Sequence, residues 1–267
     1  MSGETPFQGV LRRIDDTVPF EPGYYNESYL DRRITARMRR RDTESHTEYE
    51  RLLREDDGER QALMDALTIN VTEFFRNPDM WDVLRDVLRD RTSEQRRVRV
   101  WSAPSADGRE PYTVAMLACD DPDIDESRLS VLGSDISEEA LDNARTGVYH
   151  TTRTTDIAEE LAPLSDPDRY VERDGDSFRV RSTVKRLVDF ETHDLIRDGA
   201  RDPFDIVLCR NLLIYIDVDH KGALFDTLEA SLADDGVLVL GMTESIPPDR
   251  SDRYDPIDKR RRVFGRV

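Results

Sequence analysis

Lysine is nearly missing from this chain, occurring only at Lys185, Lys221 and Lys259, so almost every basic side chain is arginine. Basic residues are outnumbered as well: 39 Lys and Arg face 57 Asp and Glu, a formal net charge of −18 with a pI near 4.7. A general nucleic-acid binder is normally basic, so that class is excluded. The acids are spread along the chain rather than gathered in one block. That distribution favours a carboxylate-rich shell suited to high salt over one acidic functional surface. Cysteine is also scarce. Cys119 and Cys209 both lie in apolar runs, as buried thiols in a reducing cytoplasm would. No apolar run approaches the roughly 18 residues of a membrane-spanning helix, so no membrane insertion is expected. MSGETPFQGV lacks the basic-then-apolar order of a signal peptide, and a cytoplasmic location follows as the expectation. His46, His150, His193 and His220 are scattered without metal-ligand spacing, and no metal site is expected. G-x-S-x-G, P-loop and C-x-x-C motifs are missing too, which leaves nucleophilic catalysis poorly supported.

What is present falls into two parts. Residues 1–78 read as helices. YLDRRITARMRRR places Leu30, Ile34 and Met38 at i, i+4 and i+8, an apolar stripe for a core, surrounded by arginines that include Arg33, Arg37, Arg40 and Arg41. In so acidic a chain this basic face is either a solvated surface, with arginine stems covering apolar area, or a dock for an acidic partner. SHTEYERLLRE and ERQALMDALTIN read as two more helices, the first capped by Ser45 or Thr47. The second part is residues 79–267, in which strands and helices alternate from about residue 95. Strands are expected at 97–102, 129–134, 204–209 and 236–241, and helices at 111–119, 137–146 and 219–233. Such alternation means an α/β domain with a parallel sheet covered by helices. Residues 169–192 break the pattern and read as short strands around Asp174-Gly175-Asp176. They belong to a small antiparallel insertion placed at about 148–190.

In open sheets of this kind ligands sit beyond the carboxyl ends of the strands. The first such end reads SAPSADGREPY, with one glycine, Gly108, where a dinucleotide loop carries G-x-G-x-x-G, and with Glu110, which would repel phosphate. The second ends on Asp135, placed to accept hydrogen bonds from ribose hydroxyls, although an acid serving the helix that begins after Ser137 is the plainer reading. VDFETHDLI ends on Asp194 and Leu195, able to meet an adenine amino group and ring, although an Asx residue also begins turns for local reasons. In FDIVLCRNLLIYID the polar Arg210 and Asn211 stand between apolar runs and need partners once buried. A ligand in the crevice is the expected source; a turn with an arginine ion pair is the alternative. TINVTEFFRN joins the two parts, and in a helix Thr72 and Arg76 would share a face. This segment is either a hinge or a lid whose polar residues reach a cleft.

TINVTEFFRN, WSAPSADGREPY, GSDISEEALDNARTGVY, FDIVLCRNLLIYID and GMTES, in this order, resemble the CheR family of chemotaxis-receptor glutamate O-methyltransferases over nearly the whole chain. The resemblance implies a Rossmann-like S-adenosylmethionine (SAM) methyltransferase domain with its antiparallel insertion, preceded by an all-α domain that docks on receptors. It implies cofactor contacts at Asn70, Thr72, Arg76, Glu110, Asp135, Asp194, Leu195, Arg210 and Asn211. Tyr215 matches the tyrosine beside the transferring methyl group, so Arg76 and Tyr215 are the expected catalytic residues. The implied substrate is the cytoplasmic helical domain of chemotaxis receptors, which makes Arg33, Arg37, Arg40 and Arg41 the expected docking residues. The protein is expected to be a monomer, and the acidic composition implies a halophilic archaeal source. The turn ERDGDSF is shorter than the loop with which some members hold a receptor's C-terminal pentapeptide, so no tether is expected. The chain departs from the family pattern where Asp107 replaces a hydroxyl residue, Arg109 replaces an acid and Asp194 replaces Asn. Two other readings stay open: a SAM-dependent methyltransferase of another carboxylate substrate, and a non-catalytic SAM-binding signalling adaptor.

Overall fold

The structure is a computed structural model that describes residues 5–18, 20–68 and 72–267. It divides into two compact units, Met1–Ile69 with Leu213–Ala223, and Asn70–Leu212 with Leu224–Val267.

The first unit is built from α1 (Pro6–Thr17), α2 (Glu27–Arg40), α3 (His46–Glu55) and α4 (Asp57–Leu67). Leu30, Ile34 and Met38 of α2 are buried, as their spacing requires. Of the two expected caps, Ser45 is the one used: its side chain accepts from the N–H of Glu48. Thr5 begins α1 with a reciprocal capping box to Gln8. Segment 213–223 is held against residues 24–26. Asn26 N–H donates to the Tyr215 carbonyl at 2.9 Å, and Tyr25 bridges to Ile216.

The second unit follows in chain order as α5 (Pro78–Glu94), β1 (Val98–Ser102), α6 (Arg109–Asp120), β2 (Leu129–Asp135), α7 (Glu138–Thr146) and β3 (Val148–His150). It continues with α8 (Ile157–Glu160), β4 (Val171–Asp174), β5 (Ser177–Val180), α9 (Ser182–Lys185), β6 (Val188–Thr192) and β7 (Phe204–Cys209). It ends with α10 (Lys221–Ala230), β8 (Leu232–Leu240), β9 (Tyr254–Asp258) and β10 (Val263–Arg266). Seven strands form the main sheet in the order β6-β2-β1-β7-β8-β10-β9. The first five are parallel, and β10 and β9 close the edge antiparallel. The central strands are buried on both faces, which is why VRVW and FDIVLC read as near-continuous apolar runs.

Three expectations need correction. Residues 188–192 are not part of the antiparallel insertion; they form β6, parallel to β2 from Val131↔Val188 to Asp135↔Thr192. As an edge strand β6 is only partly buried, so its sequence looks like the neighbouring hairpin. The insertion itself is the three-stranded sheet β3-β5-β4, with Gly175 in the left-handed region at its turn. Helix α10 stops at Ala230, short of the expected 233, and strand β8 begins at Leu232 rather than at 236, because Phe204 already pairs with Leu232.

Candidate functional site

The chain passes from β1 to β2 and β6 on one side and returns to β7 on the other, so the topological switch point lies beyond the carboxyl ends of β1 and β7. Two opposite charges meet there. Arg210, directly after β7, donates from Nη1 to Glu110 Oε2 at 2.9 Å, and Ser102 Oγ at the end of β1 donates to Glu110 Oε1 at 2.9 Å. Arg210 Nη2 reaches the Asn77 side-chain oxygen at 2.8 Å and the Arg76 carbonyl at 3.0 Å, and the guanidinium stands 5.6 Å from the Trp81 ring centroid. Trp81 Nε1 donates to the same Arg76 carbonyl at 3.0 Å. One arginine thus gathers the end of β7, the first turn of α6 and the 72–77 segment. Of the two sources of partners that the sequence offered for Arg210, a ligand or an arginine ion pair, the chain supplies the ion pair, while Arg210 Nε has no partner in the protein. A buried guanidinium needs such partners, and they stand too far away in sequence for local pattern to reveal.

The 72–77 segment is a pair of turns rather than a helix, so Thr72 and Arg76 do not share a helical face. Phe75 and Asn77 adopt φ of +50° and +62°, a left-handed backbone that no α-helix continues through. Phe74 N–H donates to Glu160 Oε2 at 2.9 Å, and Phe75 N–H to Thr113 Oγ1 at 3.3 Å. Both rings are buried while Thr72 and Arg76 are half-buried; Asn70 lies outside the described residues. Beside the turns a cavity of about 310 Å³ is lined by Glu73, Arg76, Thr154, Asp156, Glu159 and Glu160 among others. Six non-glycine residues have positive φ among those described, and Phe75, Asn77, Ala106 and Asn211 all lie on segments meeting at the strand ends. Strain gathered in this way marks backbone held for function.

Asp135 is 4% exposed, and burial pushes its carboxyl pKa up. Its Oδ2 accepts from Ala106 N–H at 2.9 Å and its Oδ1 from Ser137 N–H at 3.0 Å, so it orders the loop after β1 and the start of α7 together. The Ile136 N–H also donates to this carboxylate, so of its roughly four acceptor positions about one remains for a ligand. Asp194 is occupied locally: its Oδ1 accepts from the N–H groups of Ile196 and Arg197 at 2.8 and 3.3 Å, an Asx turn. Leu195 beside it is buried. Asn211 N–H and Gly241 N–H both donate to Glu244 Oε2, at 2.9 and 2.6 Å. A Cβ on Gly241 would stand 2.5 Å from that oxygen, so only glycine fits there. Glu244 lies in GMTES, a stretch with no period or charge pattern to reveal its role.

Arg109 and Asp107, two of the departures, explain each other. Arg109 Nη2 meets Asp107 Oδ2 at 2.9 Å, and its Nη1 lies 3.3 Å from both oxygens of Glu160. Burial disfavours the charged guanidinium, yet the two acids outweigh it and raise its pKa. The insertion contributes Tyr149, whose hydroxyl donates to the Asp107 carbonyl at 2.7 Å and whose ring meets Phe74 edge-on at 5.0 Å. Glu160 drew no attention in the sequence, since nothing links EEL in the insertion to a loop some 50 residues earlier.

The remaining candidates belong to the helical unit. The Tyr215 ring lies 4.8 Å from that of Tyr29, which also has the guanidinium carbons of Arg33 at 5.5 Å and Arg32 at 5.9 Å and the Tyr25 ring at 6.1 Å. Arg37 is turned inward. It forks onto the fully buried Glu59 at 3.0 and 2.6 Å, and Tyr49 donates to the same carboxylate at 2.6 Å. Arg41 pairs with Asp56 at 2.9 Å and approaches Glu59 at 3.4 Å, while Arg40 is exposed.

Comparison with known proteins decides what this arrangement belongs to. Residues 70–263 match the SAM-binding domain of CheR methyltransferases, and residues 6–68 match the all-α domain of the same family. The chain belongs to the CheR methyltransferase family. It is similar to a chemotaxis protein methyltransferase of Listeria monocytogenes, 30% identical over 83% of this chain and 83% of the relative. To chemotaxis protein methyltransferase 2 of Pseudomonas aeruginosa it is 30% identical over 90% of this chain and 86% of the relative. The Escherichia coli chemotaxis protein methyltransferase is 35% identical over 70% of this chain and 65% of the relative.

The cofactor of this CheR-family protein is SAM, and the donor set fits it. SAM carries an ammonium and a sulfonium and no phosphate, so Glu110 and Asp135 suit it better than a glycine-rich anion cradle would. Two buried atoms at the strand ends, Ser105 Oγ and Arg210 Nε, have no hydrogen-bond partner in the protein, as a site built to be filled would leave them.

Proposed function

We propose that this protein methylates glutamate side-chain carboxylates in the cytoplasmic helical domain of chemotaxis receptors, as a protein-glutamate O-methyltransferase. Family membership and the chemotaxis names of its relatives support the reading. The observation that carries it is the acid-lined switch point, where Glu110, in the first turn of α6 and bonded to Ser102 at the end of β1, and Asp135, at the end of the adjacent β2, come from neighbouring strand–helix units. When bound, SAM supplies an electrophilic methyl group.

The protein's own work is positioning. A glutamate carboxylate is already ionised at neutral pH and needs no general base. The chain must align it and exclude water, which together contribute up to about 7–11 kcal/mol when the geometry is good. We assign Asp135 to the ribose hydroxyls and Glu110 to the ammonium end, with Asn70, Thr72, Asp194, Leu195 and Asn211 as further cofactor contacts. Arg210 acts on the cofactor by fixing Glu110 and the 72–77 turns. Arg76 is assigned to orient the substrate carboxylate through a charge-assisted hydrogen bond, and the family resemblance assigns Tyr215 to the transferring methyl group.

Receptor docking falls to the helical part, residues 1–78, on the exposed side of α2. The assigned residues are Arg33, Arg37, Arg40 and Arg41: Arg40 is exposed, Arg33 is half-buried over the Tyr29 ring, and Arg37 and Arg41 are engaged by Glu59 and Asp56. The protein works as a cytoplasmic monomer without a pentapeptide tether, in a halophilic cell whose salt its acidic surface suits.

Incubation with methyl-labelled SAM and receptor-containing membranes tests the reading. Base-labile label on the receptor, lost in Arg76→Ala and Tyr215→Phe variants that still bind SAM, is the expected result. Label on a different carboxylate, or SAM binding without transfer to any acceptor, would overturn it in favour of another substrate or an adaptor role.

A further inference from the structure

The Asp107–Arg109–Glu160 cluster is not needed to contact a cofactor, yet it joins three segments around the site. Glu160, at the end of α8 in the antiparallel insertion, accepts the Phe74 N–H at 2.9 Å and faces Arg109 at 3.3 Å. Arg109 is the first residue of α6, next to Glu110, and Asp107 lies in the loop after β1. The side chains of Arg109, Asp107 and Glu160 are 13%, 19% and 12% exposed, so water and salt screen them far less than a surface pair. Burial pushes the Glu160 pKa up, while the Phe74 N–H and Arg109 draw it back down.

We propose that Glu160 is a positioning residue for SAM binding: with Arg109 and Asp107 it locks the 72–77 turns onto the loop that carries Glu110. This rests on the SAM site placed at the switch point under the proposed function. The geometry gives the cluster a specific task. Phe75 and Asn77 hold left-handed backbones that a free segment would abandon. Four side chains pin the turns from outside: besides Arg210 and Glu160, Thr113 Oγ1 accepts the Phe75 N–H and Trp81 Nε1 donates to the Arg76 carbonyl. Arg210 holds the Arg76 carbonyl and the Asn77 side chain, and Glu160 holds the Phe74 N–H. Thr72 and Arg76 lie on this segment, on either side of Phe74. Removing the Glu160 carboxylate frees the Phe74 N–H and leaves Arg109 held by Asp107 alone, freer to turn toward Glu110 and compete for that carboxylate. Arg109 is therefore tolerated next to the SAM acid because Asp107 and Glu160 hold it away.

The test uses the full-length protein and Glu160→Ala, Glu160→Gln and Arg109→Met variants, with two readouts. Isothermal titration gives the SAM dissociation constant, and limited trypsin digestion with mass spectrometry gives the rate of cleavage after Arg76 in ligand-free protein. Glu160→Ala should raise the dissociation constant about tenfold and speed cleavage after Arg76. Glu160→Gln, which keeps an acceptor for the Phe74 N–H but cannot neutralise Arg109, should leave cleavage slow while SAM binding still weakens. Arg109→Met should bind SAM better than Glu160→Gln, because it has no stray cation. A lowered melting temperature in Glu160→Ala with both readouts unchanged overturns the proposal. So does equal behaviour of the Gln and Ala variants. The trypsin readout needs no SAM, so failure of the wild type to bind SAM would strike the site assignment and leave the positioning claim to be judged on cleavage.

Discussion

Arg210 offers the sharpest quantitative test, because contacting the cofactor and pinning the turns predict different results. Its side chain is 2% exposed, and its Glu110 partner is 10% exposed. Removing one member of a buried ion pair costs about 3–5 kcal/mol, since the other charge is left desolvated without compensation. Arg210→Ala should therefore destabilise the sheet-containing unit by about that amount. At about 2–4 °C per kcal/mol for a unit of this size, its calorimetric transition should fall by about 6–20 °C.

Replacing both partners with neutral side chains of similar size is often close to neutral for stability. In the Arg210→Met/Glu110→Gln double variant, the amide oxygen of the introduced glutamine can still accept from Ser102, and the Arg76 carbonyl keeps its bond from Trp81. Asn77 is exposed and can turn to water. The double variant should regain most of the melting temperature lost in Arg210→Ala. It should nevertheless fail to bind SAM in titration calorimetry, because the acid assigned to the ammonium end is gone. A double variant that bound SAM like the wild type would refute the role given to Glu110. An Arg210→Ala variant that melted normally would refute the idea of a buried pin.

Three further outcomes follow from particular side chains. Arg37→Ala should destabilise the helical unit by about 3–5 kcal/mol in chemical unfolding, since it removes the forked partner of the fully buried Glu59, whereas Arg40→Glu, at an exposed position, should slow receptor methylation with the unfolding midpoint unchanged. Burial, reinforced by Arg201, holds the His193 pKa below its usual value. A group whose folded pKa is depressed in this way is fully accommodated above the unfolded value of about 6.5, and the fold loses stability as pH falls below it; His193→Gln should flatten that acid slope in urea titrations. Because burial raises the Asp135 pKa, SAM affinity should start to weaken on acidification above the ordinary aspartate range near 3.9, whereas Asp135→Asn should bind weakly with little pH dependence.

Parts of the molecule governed by short-range pattern were legible in the sequence. The buried stripe of α2 follows from the spacing of Leu30, Ile34 and Met38, and β7 runs over the expected 204–209 because a strand buried on both faces reads as a near-continuous apolar run, interrupted only at Asp205. Legibility failed where a residue's environment is set by distant chain. Val188–Thr192 looks like a hairpin strand because its exposure is that of an edge, and only pairing with β2 shows otherwise. Thr72 and Arg76 have helical spacing, but a helix there would have to give up the Phe74 and Phe75 N–H bonds to Glu160 and Thr113. Arg37 has the same spacing and composition as its neighbours on α2 and still points inward, because Glu59 arrives from another helix.

The loop SAPSADGREPY carries the same lesson to the site itself. Taken alone, Arg109 beside Glu110 is a flaw, a cation set next to the acid that should meet the cofactor's positive groups. Taken with Asp107 two residues before it and Glu160 in the insertion, it is the cation between two acids. A single arginine-for-acid replacement in this buried loop would leave an unpaired charge at a cost of several kcal/mol. Asp107 offsets that cost locally, and Glu160 uses the remaining attraction to hold the Phe74 backbone. Reverting Arg109 to an acid should therefore weaken SAM binding unless Asp107 and Glu160 are changed with it, because three carboxylates would then crowd beside Glu110.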